Sequence, residues 1–201
     1  MIRTFLFASA LLIASSFTYA DEKSESKEKS DQPVEKKVDV GKQAPEFKVK
    51  DAEGKEIDLA ELTAEGPVLV RLTCGCSGCD KELAYFQTLH ESYKGRGLTS
   101  LAIFREPDAK VEEYVQQKEL KMMYAVDTEG ESWKVFQTKT MPTNFLIEKG
   151  GKIRSIAAGC DPSGLLANKV SQYVADLLET EKVDVKATVN RSEKSVESKT
   201  D

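Results

Sequence analysis

The sequence predicts an α/β domain: a central mixed β-sheet flanked by helices, preceded by a small β-hairpin. Three observations predict it. Two apolar, β-rich runs, Pro67 to Thr73 and Leu98 to Phe104, are each followed by a segment whose apolar residues recur every three or four positions. Thr143 to Ile147 and Lys152 to Ala157 are separated by Gly150-Gly151, the pattern of an antiparallel hairpin. A long amphipathic segment closes the fold, so strand-helix repeats and a hairpin must share one sheet.

Taken in order, Phe47-Lys48-Val49 and Ile57-Asp58-Leu59 flank Ala52-Glu53-Gly54-Lys55, which reads as a hairpin with Gly54 at the positive-φ turn. Leu83, Phe86, Leu89 and Tyr93 mark the buried face of a helix that Gly95 and Gly97 would end. Asp108 to Lys118 reads as a helix with Val111, Tyr114 and Val115 inward, Met122 to Val126 as a short strand, and Gly130 to Gln137 as a short helix. The closing helix is expected to open at Asp161-Pro162-Ser163, with the acid as N-cap and Pro in the first helical position. Its inward face carries Leu165, Leu166, Val170, Tyr173, Val174, Leu177 and Leu178.

The ends differ in composition from the middle. Residues 1–20 place Arg3 before an apolar run and a small-residue exit at Thr18-Tyr19-Ala20, the pattern of a secretory signal peptide. The run is too short and Ser-rich for a span of about 20 apolar residues, and no second run follows, so an integral membrane protein is not expected. Residues 21–37 are almost wholly charged or polar and are expected to be a disordered linker; the same composition returns at 183–201, expected as a solvated tail. That leaves 38–182 for the folded domain. With 29 Lys+Arg against 34 Asp+Glu and a net charge of −5, the chain lacks the cationic excess that phosphate backbones demand, which argues against nucleic acid as a partner. Export to an oxidising compartment, periplasmic or otherwise extracytoplasmic, is the expectation, as a soluble monomer.

The chemistry is concentrated in Leu72-Thr73-Cys74-Gly75-Cys76-Ser77-Gly78-Cys79-Asp80-Lys81-Glu82. Cys76 and Cys79 form a Cys-x-x-Cys pair where a buried strand becomes a helix. A thiol at a helix start meets unpaired backbone N–H groups, which favour the thiolate. Cys76 is therefore the candidate nucleophile. Cys79, one turn further in, suits the thiol that resolves a mixed disulfide.

These residues resemble an extracytoplasmic thioredoxin-like redoxin, similar to the thiol-disulfide oxidoreductases of cytochrome c maturation within the AhpC/TSA-redoxin superfamily. The matching pieces are Val40-Gly41-Lys42-Gln43-Ala44-Pro45-Glu46-Phe47, the stretch from Cys76 to Glu82, and Met141-Pro142-Thr143-Asn144-Phe145-Leu146-Ile147 with the Gly150-Gly151 turn after it. The resemblance implies a thioredoxin-like fold, disulfide exchange with protein thiols and an unidentified redox partner, and no organic cofactor. It implies a cis Pro142 beside the reactive sulfurs, with Met141 offering backbone groups to the substrate chain. It also implies that Glu82 helps move the proton of Cys79.

Two departures stand out. Gly75 occupies the place where the family usually has Trp. Cys74 and Cys160 are additional cysteines; in a thioredoxin-like fold the Ala158-Gly159-Cys160 loop lies beside the active site, so Cys160 is expected to approach Cys74 or Cys76 as an auxiliary redox thiol.

Other readings stay open from the residues alone. The Cys-x-x-Cys pair could staple a turn. The four cysteines could hold zinc or Cu(I) in a metal chaperone, although a zinc ribbon usually has a second close pair. Thr73, three before Cys76, fits a peroxidase, but Leu69 stands where such enzymes carry Pro. Glu82 could be a solvated first-turn acid, and His90 a partly exposed structural residue. Trp133 and Met122-Met123 read as packing.

Overall fold

The computed structural model describes residues 37–197, and the expected signal peptide lies outside the described residues, as does the linker up to residue 36. Two three-residue strands open the fold: β1 (Lys48–Lys50) pairs antiparallel with β2 (Glu56–Asp58), Gly54 turning between them at φ 81°. The expected second strand is cut short at Asp58. Its carboxylate accepts a hydrogen bond from the Ala60 N–H at 2.8 Å and starts α1 (Leu59–Glu65), a helix too short to show an amphipathic period in the sequence.

The main sheet has five strands in the order β5-β4-β3-β6-β7. Strands β3 (Val68–Thr73), β4 (Thr99–Phe104) and β5 (Met123–Val126) run parallel; β6 (Thr143–Ile147) and β7 (Ile153–Ala158) add the antiparallel hairpin. β3 is central and buried on both faces, which is why its sequence is an apolar run and not an alternation. Alternation appears in what each residue meets. Val68, Val70 and Leu72 pack with Phe47, Ile57, Trp133 and Phe136 on one face, while Leu69 packs with Phe86, Leu89, Ala167 and Val170 on the other.

Helices cover both faces. After β3 come α2 (Ser77–Asp80) and α3 (Leu83–Tyr93), then α4 (Asp108–Gln117), α5 (Glu131–Val135), α6 (Leu165–Leu177) and α7 (Val185–Glu197). The chain breaks helical geometry at Lys81-Glu82, so α2 and α3 are two helices. Trp133 is in the core as expected; of the methionine pair, Met122 is buried and Met123 exposed. His90 is buried and not partly exposed, and its burial pushes its pKa down.

The start of α6 differs from the expectation. Gly164 at φ 72° precedes Leu165, and a Cβ there would stand 2.5 Å from the Tyr85 ring. That close approach moves the helix start three residues past Asp161. The Asp161 carboxylate still caps it, accepting from the Leu166 N–H at 2.6 Å.

The larger correction is at the tail. From Val185 the chain is a helix packed against α3 and α6, with Val185 and Val189 buried. The Tyr93 hydroxyl accepts from the Val183 N–H at 2.8 Å, and Ser171 donates to the Val183 carbonyl at 2.7 Å. The sequence hid this because the apolar residues come singly, four apart, on a short charged stretch. Truncation after Lys182 should lower unfolding stability by about 3–6 kcal/mol, given about 1.5–3 kcal/mol for each of the two buried valines; urea denaturation checks this, and an unchanged midpoint would show that α7 is dispensable.

Candidate active site

The site forms where β3 ends. The chain leaves Thr73, passes Cys74 and Gly75, and enters α2 with Cys76 as the residue before its first turn. Cys76 is exposed, while Cys74 and Cys79 are buried, and all four cysteines are free thiols. The Cys76 and Cys79 sulfurs are 3.6 Å apart. Cys79 lies closer still to Cys74, at 3.1 Å. The three sulfurs lie within 4.8 Å of one another, and Cys160 does not join them. Cys160 sits exposed in the loop after β7, its thiol pKa raised by burial and by the negative charge of Glu82. The auxiliary thiol that meets the pair is therefore Cys74, five residues from Cys79, because the β3 exit turns its side chain inward.

The Cys76 thiol is held below the usual range. The main cause is a hydrogen bond from the Cys74 thiol; partial burial opposes it, and the backbone N–H of Cys79, the Cys79 thiol and the Gly78 N–H add to it. Burial raises the pKa of Cys74, with its contacts to Cys76 and Cys79 in the same direction. The two shifts oppose each other, favouring the proton on the inner sulfur over the outer one. α2 has only four residues, so its dipole is small; a neighbouring thiol adds the largest contribution to what the first-turn N–H groups of Gly78 and Cys79 supply. Cys74→Ala should therefore shift the pH dependence of Cys76 alkylation upward, read as iodoacetamide rate against pH. No shift would remove Cys74 from this role.

Beneath the sulfurs lies a buried ion pair that the sequence reading did not select. Arg71 of β3 and Glu82 are each 1% exposed and meet at 2.6 Å. Arg71 also donates to Asn144 Oδ1 at 3.0 Å and to the Cys79 carbonyl at 3.2 Å, and lies over the Phe86 ring at 5.0 Å. The other Glu82 oxygen accepts the Asp161 N–H at 2.9 Å. Glu82 is thus no solvated acid: the break between α2 and α3 turns it inward. The signal for Arg71 was a cation inside an otherwise apolar central strand, which burial allows only with a partner.

The Met141-Pro142 peptide is cis, and Met141 is exposed. Because Leu72 is paired with Thr143, Pro142 falls next to the end of β3 where the cysteine segment begins. The Pro142 carbonyl accepts the Gly159 N–H at 2.8 Å, tying this turn to the Cys160 loop. At Gly75, a Cβ would come within 3.2 Å of the Tyr114 ring. An aromatic from α4 thus packs where a larger residue at 75 would have to go, and the Tyr114 hydroxyl donates to Asp80 of α2.

The AhpC/TSA family profile matches residues 40–156, which includes every residue of this site except Gly159, Cys160 and Asp161. The chain belongs to the AhpC/TSA family. Among curated relatives of this AhpC/TSA member, the thiol-disulfide oxidoreductase ResA of Bacillus thuringiensis subsp. konkukian is 38% identical over 120 residues, 59% of this chain and 69% of that protein. A Chlorobium tepidum protein described as the thiol:disulfide interchange protein DsbE superposes with a TM-score of 0.64 at 22% identity, covering 70% of this chain and 99% of its own, which establishes the thioredoxin-like fold. One described as a thioredoxin from Neisseria meningitidis gives a TM-score of 0.57 at 27% identity, covering 67% and 90%. This AhpC/TSA member is a thioredoxin-like thiol-disulfide oxidoreductase. No helix among its described residues is long and apolar enough to cross a membrane.

Proposed function

We propose that this oxidoreductase is exported and exchanges disulfides with protein substrates through Cys76 and Cys79, as a monomer without an organic cofactor. The observation that carries the reading is the exposed Cys76 sulfur, with its pKa held down, 3.6 Å from the buried Cys79 sulfur. Cys76 thiolate attacks a substrate disulfide, forms the mixed disulfide and expels one substrate thiolate. Cys79, deprotonated, then attacks Cys76 Sγ, forms the Cys76–Cys79 disulfide and expels the second substrate thiolate. Two electrons pass to the substrate, and a dithiol partner restores the enzyme; run backward, the same steps oxidise.

Met141 backbone and Pro142 align the incoming chain, a role the matching motif supports. Glu82 serves the proton of Cys79 from within the Arg71 network. Export is supported by the leader pattern of residues 1–20, and the peroxidase reading loses ground because Leu69 is buried core paired with Leu146. The experiment is interception: Cys79→Ser should accumulate a mixed disulfide between Cys76 and a substrate or thionitrobenzoate, released by added dithiol and seen by intact mass. Failure to trap it, with Cys76 still reactive, would overturn the assigned order.

A further inference from the structure

The disulfide exchange just described needs two sulfurs, and the structure gathers three. The additional one, Cys74, is buried against Cys79 at 3.1 Å, nearer to it than the catalytic partner is. We propose that Cys74, Cys76 and Cys79 of the reduced protein form a trithiolate site for a soft monovalent metal ion, Cu(I).

Three arguments carry this. The donors are all sulfur: Cys74, Cys76 and Cys79 are the group of potential ligands whose atoms lie within 4.8 Å of one another, and no carboxylate or imidazole completes it among the described residues. Soft thiolates select Cu(I), whereas structural zinc almost always takes four ligands. The spacing is right. A metal bonded at ~2.3 Å to each of three sulfurs, the thiolate bond length of zinc, sets them ~4 Å apart in a trigonal plane; separations of 3.1 and 3.6 Å need to open by less than an ångström. The access is also right: Cys76 is exposed and can receive an ion, while Cys74 and Cys79 are buried and shield it from water. Each thiol that binds sheds its proton to solvent.

Metal binding and disulfide exchange are mutually exclusive, because the Cys76–Cys79 disulfide leaves one thiol of the three. Oxidation by a substrate disulfide would release the ion, and the dithiol partner that resets the enzyme would restore the site. The site uses the same sulfurs as the proposed reaction but requires no turnover, so the two readings fail separately.

The test is an anaerobic titration of the reduced full chain with Cu(I) against bathocuproine disulfonate, followed by copper X-ray absorption. One equivalent bound, three sulfur neighbours and no retention by the oxidised protein are expected. Cys74→Ser should weaken binding about tenfold or more, equivalent to about 1.4 kcal/mol, while Cys160→Ser leaves it unchanged. Two sulfur neighbours, unchanged affinity in Cys74→Ser, or no bound copper at all would overturn the proposal. The absorption measurement uses the native chain and decides the matter even if the buried Cys74→Ser variant fails to fold.

Discussion

Cys76→Ser should reduce insulin-disulfide reduction by roughly 10³-fold or more, to the rate of the reductant alone, because no mixed disulfide can form without that sulfur. The substitution removes an exposed atom from the first residue before α2, and nothing in the core rests on it. The loss should therefore come with an unchanged unfolding midpoint. Cys79 and Cys74 remain 3.1 Å apart in this variant, so mild oxidation should still join them as a buried disulfide, visible as a loss of free thiols. That disulfide would be silent toward insulin, since neither sulfur reaches solvent. Substantial residual turnover in Cys76→Ser would mean that another thiol, with exposed Cys160 first in line, performs the attack.

Arg71→Leu should cost about 3–5 kcal/mol of stability, the range for removing one partner of a buried ion pair. The cost arises from what is left behind. Glu82 loses its 2.6 Å partner within a 1% exposed environment, Asn144 Oδ1 loses its donor, and the Cys79 carbonyl loses the bond that fixes the inner sulfur's backbone. The double variant Arg71→Leu/Glu82→Leu should be less destabilised than the sum of the single variants, because the uncompensated charge is gone. Urea unfolding of the three proteins measures this coupling; strict additivity would show the pair to be energetically idle. Glu82→Gln separates anchoring from proton transfer, since it keeps the shape and a hydrogen-bond acceptor but cannot take a proton. A change in the pH dependence of mixed-disulfide resolution assigns the proton to Glu82, and a change in stability alone assigns it only a place in the fold.

Much of the site could be read from neighbouring residues. The Cys-x-x-Cys spacing, the strand before it and the Met141-Pro142-Thr143 segment picked out Cys76, Cys79 and the cis turn that the structure places beside the end of β3, because each depends on contacts within a few residues or on a strand pattern. Glu82 was noticed for the right position but with an open environment. Its burial follows from a two-residue break between α2 and α3 that no periodicity announces. Arg71 and Asn144 went unselected although both lie in strands read correctly, because their value comes only from pairing across the sheet. Cys160 was expected at the sulfurs on the strength of its loop, and Cys74 took that place through the inward direction of a single side chain.

By itself the sequence determined the five strands of the main sheet and the helices between them, and the chemistry of the cysteine segment, since local spacing and hydrophobic period set these, and its motifs carried the resemblance to the family. Tertiary structure alone decided which sulfur the third cysteine meets, where the buried cation finds its anion, and that the charged tail becomes a helix over α3 and α6. Those outcomes depend on surfaces brought together from distant parts of the chain: a residue that looks solvated along the chain is buried once its neighbours in space, not in sequence, offer it a partner.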